Sequence, residues 1–250
     1  MKPAVPGHDM RRYWEQLGCR FGACAATDPN DRAGIKTAYI AACRDHAIGP
    51  FLPPFGPLLD VGCGTGTFLS AVDAMRAGQL QLGADVSSTM LQLATERDVT
   101  LAGRLVQFDG VNLPFADGQF AAVTTAAVLQ YAIDDHELLA ILQELHRILR
   151  SGGRVVSVEQ IRSEDFLDLR NNKRQRAPGD FLRIARSAGF DIEHWRLIRR
   201  ARMPWTYAIR YGLVARRWLP ALVRFESRFW GQSVPPRWDY ADALFVLRKP

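Results

Sequence analysis

From residue 58 onward, short apolar runs alternate with stretches whose apolar residues recur every three or four positions. LLDV (58–61), QLGAD (81–85), RLVQF (104–108), FAAVTTA (120–126) and RVVSVE (154–159) read as strands, and 66–77, 88–98 and 134–150 as the helices between them. The last of these, DDHELLAILQELHRILR, is apolar at 138, 141, 142, 145, 148 and 149, a stripe with the helical period. SGG (151–153) ends it. Apolar strands separated by amphipathic helices indicate a parallel sheet covered on both faces.

Two helices precede this pattern, at about 9–20 and 31–47, with Asp31 placed to cap the second. GPFLPPFGP (49–57) then stops helix formation, because proline lacks the backbone donor. After Ile161 the rhythm loosens. NNKRQR (171–176) reads as a polar loop, 180–188 as a helix closed by Gly189, and DIEHWRLIRR (191–200) and ADALFVLRK (241–249) as the sixth and seventh strands.

The sharpest chemical signal is LLDVGCGTGTFL (58–69), where an apolar strand runs into Gly62, Gly64 and Gly66 before a helix starts. Glycines so spaced let the backbone approach a ligand closely and aim a helix N-terminus at negative charge. A dinucleotide site prefers its third glycine at 67, where this chain has Thr67. Asp85 closes the second strand, where a carboxylate can accept two hydrogen bonds from ribose hydroxyls. Asp109 closes the third strand, placed to accept from an exocyclic adenine amine or, more plainly, to cap its own turn.

The G-x-G-x-G turn preceded by Asp60 resembles the first motif of the class I S-adenosylmethionine-dependent methyltransferases, of the small-molecule and lipid type. The likeness extends through GADVSSTML (83–91), FDGVNLPFADGQF (108–120), TTAAVLQYAIDD (124–135) and LHRILRSGGRVVSVE (145–159). It implies a Rossmann-like α/β fold: a seven-stranded, mostly parallel sheet with helices on both faces and the last strand antiparallel. S-adenosylmethionine would lie at the C-terminal strand ends, at the topological switch point. By the same resemblance, Asp60, Gly62, Cys63, Gly64, Gly66, Asp85, Val86, Met90, Asp109, Gly110 and Ala126 form its site, with Met90 near the adenine. In domain terms, residues 1–52 would be a helical cover and 53–250 the methyltransferase domain, carrying a lid insertion at 201–238. The chain departs from the family in Ala121, where Asp is frequent, and in Gln130, where many small-molecule members place His.

The resemblance implies direct, in-line and metal-independent methyl transfer to a small-molecule, lipid-linked or glycan acceptor. A hydroxyl acceptor needs a general base within hydrogen-bond reach. The candidates are Glu159 at the end of the fifth strand and His136 in the first turn of a helix, and more remotely His46 and His194, with Tyr131 placed to orient the acceptor. Tyr13 and Trp14 can face a sulfonium from an N-terminal helix. The motifs of base-amino and covalent pyrimidine methylation and of a catechol-type Mg²⁺ site are absent from the chain. Two alternatives remain open: a non-catalytic partner or regulator that binds the cofactor, and a methyltransferase acting on RNA.

Charge adds a further feature. Residues 1–159 carry 13 Lys and Arg against 17 Asp and Glu, whereas residues 160–250 carry 19 against 9. Nine Arg fall within 196–230 (196, 199, 200, 202, 210, 216, 217, 224 and 228), with Glu226 as the lone acid. Arg210, Arg217 and Arg224 recur every seven residues, which on one helix would share a face, opposite Trp205, Ile209, Trp218, Leu222, Phe225 and Phe229. A basic, Trp-rich helix of this kind suits an anionic interface, and as a lid it would cover an acceptor pocket. Nucleic acid is the weaker partner reading, because no RNA-binding motif accompanies the charge. Cys19, Cys24, Cys43 and Cys63 lack metal-site spacing and read as reduced thiols. No apolar run reaches the ~18–20 residues of a membrane span. The N-terminus lacks a leader's apolar core, so a cytoplasmic protein is expected, peripheral to the inner face of a membrane at most.

Overall fold

The computed structural model describes residues 10–22, 31, 34–76 and 78–250. Its strands are β1 (Leu58–Val61), β2 (Gln81–Asp85), β3 (Leu105–Gln107), β4 (Phe120–Ala126), β5 (Leu149–Ile161), β6 (Phe166–Asp168), β7 (Lys173–Gln175), β8 (Asp191–Arg200) and β9 (Ala241–Arg248). Its helices are α1 (Met10–Phe21), α2 (Ile35–Ile48), α3 (Thr67–Met75), α4 (Ser88–Arg97), α5 (Asp135–Ile148), α6 (Pro178–Ser187), α7 (Pro204–Arg210) and α8 (Leu219–Phe229).

Seven strands form one sheet in the order β3–β2–β1–β4–β5–β9–β8, parallel except for β9, which runs antiparallel to both β5 and β8. β1 pairs with β2 on one side and β4 on the other, so the winding direction reverses at its C-terminal end. Alternation along β1 divides the core. Leu59 and Val61 pack with α5 and α6 on one face, and Leu58 packs with α2, α3 and α4 on the other. Both faces are covered, which is why these strands are apolar throughout rather than alternating. The expected fold class is the observed one.

Several local expectations are corrected. α5 stops at Ile148, and Leu149 already pairs with Phe120 as the start of β5. Gly152, at φ 74°, absorbs the irregularity before Arg154 comes opposite Ala122, so SGG lies inside a strand rather than between elements. The polar segment 171–176 contains β7, which pairs with β6 in a separate hairpin. α2 begins at Ile35, not at 31, yet the Asp31 carboxylate still accepts from Thr37 N at 2.6 Å and so caps it from outside. The cover assigned to both N-terminal helices divides, because α2 sends Ala47 and Ile48 into the sheet core.

The basic segment is not one helix. α7 ends at Arg210, Gly212 turns the chain at φ 72°, and α8 starts at Leu219 after a 3-10 turn at Arg216–Trp218. The three Arg residues at seven-residue spacing therefore sit on different elements. α7 and α8 pack on α2 through Tyr39, Cys43, Ile209, Leu219 and Val223. Glu226, fully buried, ties this cluster by accepting from Tyr39 Oη and Trp230 Nε1 at 2.8 Å each and from Trp205 Nε1 at 2.5 Å. Cys43 and Cys63 are buried free thiols and Cys19 an exposed one, while Cys24 lies outside the described residues. No described helix is long and apolar enough to cross a membrane.

Candidate functional site

A cavity of about 360 Å³ opens where β1 and β4 end. Its floor is the glycine turn. Gly62, Gly64 and Gly66 all have left-handed φ (70°, 53° and 69°), a conformation costly for any residue with a Cβ. The third serves packing rather than the cavity, since a Cβ on Gly66 would meet Leu101 Cδ1 at 2.5 Å. Gly62 and Gly64 line the cavity directly.

Asp85 closes β2 beside this turn. Its Oδ2 accepts from Gly64 N at 2.8 Å and its Oδ1 from Ser87 N at 2.9 Å. Each oxygen keeps a lone pair, and the carboxylate lies on the cavity wall although only 6% of the residue is exposed. Burial raises its carboxyl above the usual range, against the lowering by those backbone donors. Asp109 is exposed on the same wall, but its oxygens also accept from Val111 N, Asn112 N and Asn112 Nδ2, which holds its carboxyl below the usual range. It therefore organises the turn after β3 as well as facing the cavity. Val86, Met90, Gly110 and Ala126 complete this half. Ala127, next along, has a left-handed φ of 58°, strain of the kind that gathers at ligand clamps.

Three expected members lie elsewhere. Asp60 is buried within β1, where its Oδ1 accepts from Thr124 Oγ1 of β4 at 2.7 Å, and burial raises its carboxyl to about 7. The Cys63 side chain turns towards Gly83 and is not on the cavity wall. Gly66 serves the packing of α3 against α4, as above.

The rest of the wall comes from α1, α5 and the turn after β4. α1 closes it with Met10, Arg11 and Trp14, and α5 adds Glu137 and Ile141. Tyr131 reaches it from the 3-10 turn at Leu129–Tyr131, its ring edge-on to Trp14 at 5.2 Å between centroids. Burial pushes its hydroxyl well above the ordinary range. The carboxylate of Glu15 anchors α1, accepting from Ser88 N at 2.8 Å, Ser88 Oγ at 2.9 Å, Thr89 N at 3.2 Å and Thr89 Oγ1.

Two proposed bases are misplaced for that work. Glu159 is 3% exposed and lies off the cavity, within β5 rather than at its end. Its oxygens accept from Thr125 Oγ1, Ser157 Oγ, Val128 N and Gln130 N, so it holds the turn that carries Tyr131. His136 is exposed and outside the cavity wall, because the first turn of α5 points Glu137 inward instead. Nor does the lid cover the cavity, since no residue of 196–238 lines it. Among the residues that sequence reasoning missed are Met10, Arg11, Phe108, Val111, Val128, Glu137 and Ile141. Ile141 belongs to the apolar stripe of α5, and Glu137 was readable as its i−4 neighbour.

Residues 59–157 match the model of a family described as a methyltransferase domain. These residues form a methyltransferase domain. The match spans the glycine turn, the walls built on β2, β3 and β4, the whole of α5 and β5 as far as Ser157. The demethylmenaquinone methyltransferase of Staphylococcus epidermidis is 37% identical over 103 residues, 40% of this chain and 42% of that protein. That of Corynebacterium kroppenstedtii is 36% identical over 151 residues, 60% of this chain and 59% of its own length. The chain thus spans about half the length of such relatives. Among solved structures, geranyl diphosphate C-methyltransferase from Streptomyces coelicolor A3(2) superposes with a TM-score of 0.65 at 16% identity, covering 99% and 100% of the two chains. The cyclase SpnF superposes with a TM-score of 0.66 at 21% identity, covering 99% and 98%. At these identities the likeness is one of fold, which one scaffold lends to different reactions.

Proposed function

We propose that this protein is an S-adenosylmethionine-dependent methyltransferase with a small, largely apolar acceptor. The observation that carries the reading is Asp85, a nearly buried carboxylate on the cavity wall, braced by Gly64 N of the glycine turn. Such a group suits a ribose diol, and the cavity lies within the range of small-ligand sites, ~300–1,000 Å³. In this reading Gly62, Gly64, Asp85, Val86, Met90, Asp109, Gly110 and Ala126 hold the cofactor. Asp60 and Gly66 support the turn from behind.

Bound S-adenosylmethionine supplies an activated methyl group on its sulfonium. The protein's work is then alignment and exclusion of water, worth up to ~7–11 kcal/mol for well-oriented reactants. Trp14 and Tyr131 close the far side, and the ring faces offered there suit a cation. Glu137 is the carboxylate at that end, placed to accept a proton from an acidic C–H or O–H of the acceptor, with Tyr131 positioning it. Arg11 at the same rim suits an anionic substituent. Met10, Val111 and Ile141 favour an apolar body. The names of the relatives and structural neighbours, which act on demethylmenaquinone and geranyl diphosphate, support a prenyl-like acceptor. A lipid-linked acceptor would bring the protein to the inner face of a membrane from the cytoplasm.

Incubating the protein with methyl-labelled S-adenosylmethionine and a polar-lipid and quinone extract tests this. Mass spectrometry should find an extract component that gains one CH₂, with Glu137→Gln at least about tenfold slower and unchanged in affinity for S-adenosylhomocysteine. An extract and a small-molecule library that both remain unlabelled would refute it.

A further inference from the structure

Fourteen large apolar side chains are strongly exposed among the described residues, and eleven of them lie between 166 and 238. The two segments that carry them, 166–169 and 207–238, leave the sheet at one place. Ile161 and Arg200, the last residues of β5 and β8, both pair with Ala241, the first of β9. The hairpin β6–β7 and the α7–α8 segment therefore emerge from the C-terminal edge of the sheet, the edge on which the cavity opens.

α8 shows how the surface is built. Leu219, Val223, Glu226 and Ser227 face inward. The outer face carries two i,i+4 pairs, Arg224 with Arg228 and Phe225 with Phe229, all four exposed. The Phe rings stack at 5.1 Å, and Phe229 meets Trp230 edge-on at 4.7 Å. Arg200 lies over both Trp230, at 5.0 Å, and Trp238, at 5.5 Å. Beside Trp238, Arg237 pairs with Glu164 at 2.5 Å, and Arg162 lies over Phe166 of the hairpin at 4.4 Å. The result is a continuous strip of rings and guanidinium groups from α8 to the hairpin. It is not the single helix face expected from the sequence, and not all nine Arg present a free charge on it: Arg199 is buried on Asp242, and Arg200, within the strip, pairs with Asp239.

We propose that this strip docks on an anionic lipid bilayer, with Phe225, Phe229, Trp238 and Phe166 entering the headgroup region and Arg224 and Arg228 meeting lipid phosphates. The proposal deepens the reading of a lipid-linked acceptor, whose cavity opens on the same edge, and rests on it for its purpose but not for its physics. Charge complementarity selects the occupant: on the α8 side Glu226, the lone acid of 196–230, is turned inward, and at the hairpin Glu164 and Asp165 are paired with Arg237 and Arg174. Exposed Leu167, Leu169 and Leu213 favour a lipid interface over nucleic acid, because they add apolar area without a ring for base stacking.

Co-sedimentation of the full chain with phosphatidylcholine vesicles, with or without roughly a quarter of phosphatidylglycerol, tests it. Wild type should bind the anionic vesicles and release in high salt. Arg224→Glu combined with Arg228→Glu should weaken binding about 25-fold or more, and Phe225→Ser with Phe229→Ser should weaken it severalfold. Both variants should keep the wild-type affinity for S-adenosylhomocysteine, which also reports folding. Failure of wild type to bind, equal binding by the variants, or retention on a short single-stranded RNA in preference to vesicles would overturn the proposal. Vesicle binding without any affinity for S-adenosylhomocysteine would instead sink the methyltransferase reading and leave the surface standing.

Discussion

Val128 lies so close over Gly62 that a methyl group on residue 62 would overlap both of its Cγ atoms. The contact joins the turn after β4 to the turn after β1 and sets the width of the cavity floor. Gly62→Ala adds an overlap to a left-handed φ of 70°. The substitution is expected to cost about 2–4 kcal/mol, read from urea denaturation. Combining it with Val128→Ala should recover the part due to overlap and leave the part due to φ. A single variant as stable as wild type would mean that the turn relaxes freely.

Asp60 gives the domain a pH dependence opposite to that of a salt-bridged acid. Burial raises its carboxyl from 3.8 to about 7, so the folded state holds the proton more tightly than the unfolded one. Its favourable contribution is complete below pH 4 and is lost as pH rises towards 7. Glu159, raised from 4.5 to about 7 by burial, acts in the same sense. Unfolding free energy should fall across this window by an amount on the order of a few kcal/mol. Asp60→Asn, which keeps a carbonyl for Thr124, should flatten part of the fall and be the more stable protein at pH 8.

Glu15 has the reverse sign. Burial pushes its carboxyl up, but the Ser88 and Thr89 donors outweigh it and hold the group at about 2, against an ordinary 4.5. The attachment of α1 to α4 is therefore present above pH 4.5 and is lost as pH falls towards 2. Glu15→Ala should speed hydrogen exchange across α1 at neutral pH by about tenfold. It should also weaken S-adenosylhomocysteine binding severalfold, because Met10, Arg11 and Trp14 close the cavity from that helix. Unchanged exchange would show that ring packing on Tyr131 alone holds α1.

The fold was legible because β1, β2, β4 and β8 are continuous apolar or β-rich runs with clear punctuation, and each falls where its pattern ends. β7 was hidden, since Lys173–Gln175 pairs through its backbone and has no apolar alternation to betray it. Half of the site was legible for a related reason: Gly62, Gly64 and Asp85 follow directly from strand ends. The other half gathers Arg11, Phe108 and Glu137 from three elements distant in sequence. Periodicity tells which face of an element is buried, not what it meets. Glu159 misled because a polar residue on a central strand can hold a neighbouring turn as well as face a ligand.

The most direct measurement is calorimetric titration of S-adenosylhomocysteine into wild type, Asp85→Asn and Asp85→Ala. Saturable binding by wild type, weakened about 100-fold or more in Asp85→Ala and less in the Asn variant, which retains an acceptor for the turn, is the expected result. Folded wild-type protein that gives neither heat nor a rise in melting temperature would contradict the account.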